Sequence, residues 1–249
     1  MLRLLAITAH PDDEAGNFGG SLRLYRDRGV ETAVICLTAG QAATHRGNTK
    51  TDQELAALRR REFARSCDIL GVSHGTVLDY ADGQLHRLDS SAVVRELARH
   101  IRQFRPHVLL AFGPEGGVTG HTDHSMASVF SSLACHWAGR SNRFPKQRDQ
   151  GLAPHRVQKV YYATANFVVP DRGAISLPPV TTVIDIGEHL ETKIAAFQAH
   201  ASQAPLFALF EEMMRQRGRQ ELFHLAAQVN PGGMQQESDL FAGVSEEEC

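Results

Sequence analysis

The chain has 249 residues, 42% of them hydrophobic, a formal net charge of −2 and four cysteines. That length and apolar content support a sizeable core in one α/β domain. The near-neutral charge leaves no electrostatic footprint for nucleic acid, no run reaches the ~18 apolar residues of a membrane span, and Cys36, Cys67, Cys135 and Cys249 offer neither a C-x-x-C pair nor a disulfide framework.

In chain order, the apolar run at residues 3–8 reads as a strand that runs straight into Ala9-His10-Pro11-Asp12-Asp13-Glu14. The apolar N-terminus is too short for a secretory signal, and Pro11 and Asp12 interrupt it. A reduced, cytoplasmic protein is therefore expected. Residues 20–29 carry a helical pattern, and 31–37 a second strand. Asn17-Phe18-Gly19-Gly20 lacks the spacing of a dinucleotide fingerprint and reads as tight packing of the first helix. A long helix is predicted over 52–70, opened by a Thr51-x-x-Glu54 capping box and stopped at Gly71. Within it, Arg59-Arg60-Arg61 beside Glu62 reads as a solvated face.

A third strand is predicted at 76–80, a helix at 91–104 ending before Pro106, and a fourth strand at 107–112. Gly120-His121-Thr122-Asp123-His124 follows that strand and opens a helix over about 123–137. Residues 141–154, with Pro145, Gly151 and Pro154, read as a long loop suited to act as a lid. Two more strands, 159–163 and 180–186, flank a loop at 170–179, and helices follow at 188–202 and 206–217. Strands alternating with helices predict an α/β fold: a Rossmann-like, mostly parallel sheet with helices on both faces. One domain over 1–230 and a flexible tail over 231–249 complete the expected organisation.

The chemistry concentrates in the two polar clusters. His10 and Asp13 stand three apart behind one strand, and His121 and His124 three apart behind another. If those strands are neighbours, the clusters converge outside their carboxyl ends, where open α/β sheets bind ligands. Three protein ligands with an open fourth position is the catalytic zinc arrangement, and residues are left over for acid–base work. Either cluster alone also reads as helix caps and surface histidines. No H-E-x-x-H, G-x-S-x-G or G-x-x-x-x-G-K-[ST] sequence is present.

AHPDDE followed by GHTDH resembles the LmbE/PIG-L family of zinc-dependent N-acetylglucosamine-type deacetylases. Leu55-x-x-x-Arg59-x-x-Glu62, Tyr80-Ala81-Asp82-Gly83 and Lys193…His200-x-Ser202-Gln203 extend the likeness from residue 3 to about 205. The resemblance implies His10, Asp13 and His124 as ligands to Zn2+ and Asp12 as general base. It implies His121 as the residue that stabilises the oxyanion or protonates the leaving amine. Asp123 then orients a histidine, and Arg59 and Asp82 hold the sugar. Some members carry Tyr where this chain has Thr119, so any tyrosine contribution must come from elsewhere or be missing. The implied substrate is a small N-acetylated amino sugar or glycoside, with precursors of low-molecular-weight thiols foremost, and homo-oligomeric assembly is also implied. The alternatives are a metal-dependent amidase acting on another amide conjugate, and a metal- or sugar-binding protein without turnover.

Overall fold

The computed structural model describes residues 1–167, 175–230, 232 and 235–247. Seven strands form one sheet in the order β3-β2-β1-β4-β5-β7-β6. They are β1 (Arg3–Thr8), β2 (Glu31–Thr38), β3 (His74–Tyr80), β4 (Val108–Phe112), β5 (Lys159–Thr164), β6 (Thr182–Asp185) and β7 (Gln220–Gln228). Strands β1 to β5 pair in parallel, and β7 runs antiparallel to both β5 and β6.

The helices are α1 (Asp13–Asp27), α2 (Asp52–Leu70), α3 (Ser90–Phe104), α4 (Thr122–Ala138), α5 (Pro145–Asp149), α6 (Leu190–Gln198) and α7 (Phe207–Arg217). Successive residues of β1 face opposite sides of the sheet. Leu4 and Ala6 join one core with Phe18, Leu22, Phe63 and Phe197, while Leu5 and Ile7 join another with Leu97, Ile101 and Phe130. Thus α1, α2 and α6 cover one face and α3 and α4 the other. Burial on both faces is why the parallel strands read as continuous apolar runs.

Local chemistry sets several boundaries as expected. Thr51 and Glu54 make both bonds of the capping box, and Gly71 closes α2 in the left-handed conformation with φ 71°. Gly20 permits close packing, since a Cβ there would overlap the Ile186 side chain.

Other boundaries differ. Helix α1 starts at Asp13, well before residue 20, because Asp12 turns the chain sharply at the end of the strand, with φ 107°. The predicted helix at 188–202 is shorter and flanked by 3-10 turns at Gly187–His189 and Ala201–Leu206. Strand β7 was not anticipated. Residues 141–154 are not a lid. They contain α5, and buried Arg102 donates to the carbonyls of Ala138, Arg140 and Arg143 and to Gln147 Oε1. Just beyond, His155 Nε2 bonds the Pro106 carbonyl ahead of β4, at the amino ends of the strands and away from the two motifs.

The tail expected to fray is docked over 235–247. Glu237 accepts from Lys159 Nζ and Tyr161, the Leu240 N–H donates to Tyr25 Oη, and Leu240 and Phe241 are buried. Cys36, Cys67 and Cys135 are free and buried, whereas Cys249 and part of the 170–179 loop lie outside the described residues. Among the described residues, no helix is long and apolar enough to cross a membrane.

Candidate metal centre and active site

The chain order reverses between β1 and β4. These two neighbours pair in register from Leu4↔Val108 to Ala6↔Leu110, although about a hundred residues separate them. The crevice outside their carboxyl ends is the topological switch point. The first motif lies between β1 and α1, and the second between β4 and α4. Both therefore meet in this crevice.

Asp13 stands between two imidazoles. Its Oδ1 lies 3.2 Å from His124 Nε2 and its Oδ2 3.6 Å from His10 Nδ1. Donors at about 2.0–2.1 Å from a tetrahedral zinc would stand about 3.3–3.4 Å apart, so this spacing fits such an ion. Ring nitrogens of His10, His121 and His124 all fall within 4.8 Å of one another. The backbone N–H groups of Ala9 and His10 donate to Asp13 Oδ2 at 3.1 and 2.8 Å and fix the carboxylate. The Phe112 ring stacks on His124 at 4.0 Å and fixes that imidazole.

Behind His10 stands a second acidic layer. Its Nε2 lies 3.1 Å from Asp82 Oδ1 and 3.5 Å from Asp123 Oδ2. Asp123 is held in turn by the N–H groups of Gly83 and Leu85. A carboxylate behind one ring nitrogen leaves the other free to bind metal and raises its basicity. The carboxylates of Asp82 and Asp123 stand against His10 Nε2, so Nδ1, which faces Asp13, is the nitrogen left free for a metal.

The electrostatics follow from burial and neighbours. Burial alone would raise the Asp13 carboxyl, but His124 and His10 outweigh it and hold the group well below the usual range. Burial would lower His10, yet Asp123, Asp13 and Asp82 hold it well above an ordinary histidine. The Asp12 carboxyl is pushed up to about 6 by burial, against the pull of the Arg59 guanidinium. His121 is lowered by burial and then by the two neighbouring imidazoles. Its Nδ1 accepts from the Asp123 N–H at 3.1 Å, which puts the ring proton on Nε2, and the side chain is exposed to the cleft.

All eight residues singled out in the sequence belong to this cluster, and two of them make protein contacts that the sequence did not indicate. Arg59 is 3% exposed and points inward. It donates to the carbonyls of Gly40 and Pro11 and, at 2.9 Å, to Asp12 Oδ2. It is neither a solvated residue nor a partner of Glu62, which accepts from the Ser202 N–H and hydroxyl instead. Asp82 has both oxygens engaged, one facing His10 and the other accepting from the Ala42 N–H. Both side chains are thus bonded to protein groups of the crevice.

Two residues without an expected role complete the cluster. Glu14 Oε2 accepts from the Asp12 N–H at 2.9 Å, and Oε1 lies 2.7 Å from His200 Nε2. Both side chains are fully buried. This pair holds the backbone of Asp12 in its unusual conformation. No tyrosine substitutes at Thr119. Tyr25, Tyr80, Tyr161 and Tyr162 are bonded to Asp239, Glu96, Glu237 and Ser132 respectively.

Comparison with known proteins agrees with this arrangement. The family model described as PIG-L, GlcNAc-PI de-N-acetylase, matches residues 5–135. A 1D-myo-inositol 2-acetamido-2-deoxy-alpha-D-glucopyranoside deacetylase of Catenulispora acidiphila is 31% identical, with 97% of each chain covered. A diacetylchitobiose deacetylase of Thermococcus kodakarensis is 32% identical over 86% of this chain and 75% of its own. The solved N,N'-diacetylchitobiose deacetylase of Pyrococcus horikoshii shares the fold, with a TM-score of 0.76 and 24% identity over 90% of this chain and 83% of its own. Both converging motifs lie inside the matched segment, and the likeness spans nearly the whole length, so the chain belongs to the LmbE/PIG-L family.

Proposed function

We propose that the chain is a zinc-dependent N-deacetylase that removes the acetyl group from an N-acetylglucosamine-type sugar or glycoside. N-acetylglucosaminyl precursors of low-molecular-weight thiols lead the substrates. The observation that carries this reading is the pairing of a three-donor set with a carboxyl that is not needed in it. His10, Asp13 and His124 supply the donors, and Asp12 stands beside them with its pKa raised to about 6. A pure binding protein needs no such base. The similarity to deacetylases named for acetamido-glucosyl inositol and diacetylchitobiose supports the sugar class.

When bound, zinc supplies Lewis acidity for the amide carbonyl and acidifies water at neutral pH. The protein does the rest. Asp12 takes the proton of the attacking water, and a pKa near the working pH suits that role. Arg59 and the Glu14–His200 pair hold Asp12 in place. His121, with its proton on Nε2, donates a hydrogen bond to the oxyanion, and the proton that Asp12 took from water passes to the leaving nitrogen. No nucleophilic side chain is required. The three described cysteines are unpaired and buried, and burial raises their thiols, which fits a reducing cytoplasm.

The test is a panel of N-acetylated amino sugars and glycosides assayed for released primary amine with Zn2+ supplied. Turnover should fall by roughly 10²-fold or more in His121→Ala while metal content is retained. A protein that binds zinc and sugar yet hydrolyses no amide would refute the reading.

A further inference from the structure

The metal centre does not end in a closed pocket. A groove of about 830 Å3 starts at Asp12 and Asp13 and extends away from the strand ends of the metal site toward α7. That is the size of a pocket for a whole drug-sized ligand, more than one acetamido sugar ring fills. Gly16 and Asn17 line it on the α1 side. Beside Gly16, Phe210 lies flat on Phe197, with ring centroids 3.8 Å apart and an interplanar angle of 16°. Met213 and Met214 continue this wall along α7, while Lys193, Arg219 and Glu221 line a polar side of the groove.

An aromatic stack flanked by methionines is an adaptable apolar surface. Nothing in the hydrolysis of an acetamide calls for one. Gly16 adjoins this wall, since a Cβ there would stand 3.6 Å from the Phe197 ring.

We infer that the substrate carries an apolar substituent, at least the size of a phenyl ring, that lies along this groove against Phe210, Met213 and Met214. The inference rests on the deacetylase reading for its chemistry, but not for its binding test. The substituent belongs either to the aglycone or to the acyl group, since both radiate from the amino sugar beside Asp12.

Two pairs of substrates separate these sources. One compares benzyl and methyl glycosides of N-acetylglucosamine. The other compares N-hexanoyl and N-acetyl forms of the methyl glycoside. An apolar pocket distinguishes such groups by about tenfold or more. A preference of that size in kcat/KM in either pair is expected, and the pair that shows it identifies the source. Phe210→Ala and Met214→Glu should reduce the preference below about threefold while leaving turnover of the methyl N-acetyl substrate unchanged. Two variants at separate positions, each checked by its melting temperature, guard against misfolding.

Equal kcat/KM within both pairs would overturn the inference and leave the deacetylase reading standing. Calorimetry with benzyl and methyl glucosides, and with N-hexyl and N-methyl glucosamine, none of which contains an amide, gives an answer even if no substrate is turned over. Tighter binding of the bulkier member of either pair that is lost in Phe210→Ala would support the groove despite failure of the deacetylase reading. Equal binding within both pairs would overturn the groove.

Discussion

The buried Glu14–His200 pair makes a sharp thermodynamic prediction. Both side chains are inaccessible to water, and the two atoms lie 2.7 Å apart. His200→Ala leaves the Glu14 carboxylate in the core with only the Asp12 N–H as donor. Removing one partner of such a pair costs about 3–5 kcal/mol. For a chain of this length each kcal/mol lowers Tm by about 2–4 °C, so a drop of about 6–20 °C is expected. His200→Gln, which keeps a neutral donor, should lose less, on the order of 1–3 kcal/mol.

The pH dependence has a definite sign. Burial lowers His200, but Glu14 and then Asp12 raise it above an ordinary histidine. A raised folded pKa adds stability that is fully present below the unfolded value of about 6.5 and is lost as pH rises through the folded value. The gap between wild type and His200→Gln should therefore be widest in mildly acidic buffer and narrow as pH rises through the raised pKa. Thermal unfolding followed by circular dichroism measures both effects. It should be run with metal chelated, because a bound ligand shifts Tm by mass action. If His200→Ala melts within about 2 °C of wild type at pH 6, the pair contributes little and the argument fails.

Other residues give separate tests. The kcat/KM profile should lose activity as pH falls through about 6, where Asp12 gains its proton, and Asp12→Asn should lose roughly 10²-fold or more in kcat with metal retained. Arg59 pulls the Asp12 pKa down, so Arg59→Met should move this acid limb to higher pH, and an unmoved limb would break the link between the two groups. Asp123→Ala, measured by competition with a chelator, should weaken metal affinity about 10–100-fold, because His10 loses a carboxylate that orients it. Truncation after residue 234 should lower Tm and slow refolding yields, since it strips Glu237 from Lys159 and Tyr161 and removes buried Leu240; an unchanged melting curve would contradict the docking of this segment.

The sequence made the central sheet legible for a physical reason. Strands β1, β2, β4 and β5 are buried on both faces and appear as unbroken apolar runs, while α2 carries its own start and stop signals. Helix α1 was harder to place because Gly16, Gly19 and Gly20 weaken its helical pattern and its start depends on one unusual dihedral at Asp12. Strand β7 depends on antiparallel partners far away in sequence, which no local period records.

The inward turn of Arg59 was readable in principle. Leu55, Arg59, Glu62, Phe63 and Ser66 all lie on the buried stripe of α2, at the spacing of a single helix face. Residue type argued for solvent, whereas position argued for the core, and position prevailed because Asp12 and two carbonyls accept from the two terminal nitrogens of the guanidinium. Glu14 and His200 each stand in a segment that carries the family likeness, but neither segment reveals that the two pair. Their contact joins residues 186 positions apart, which no local pattern records.

The fold itself poses an electrostatic problem at this crevice. The N-termini of α1 and α4 both open there, and helix N-termini favour negative charge over positive. The divalent cation proposed for this site would therefore be opposed by the backbone that brings the two motifs together. Carboxylates offset this: Asp13 sits in the first turn of α1 and Asp123 in the first turn of α4, while Asp82 joins them behind His10. The same helix ends favour an oxyanion once the amide carbonyl has been attacked. A site with fewer carboxylates would hold the anion and lose the cation. The second acidic layer is thus as necessary to the reading as the ligands it supports.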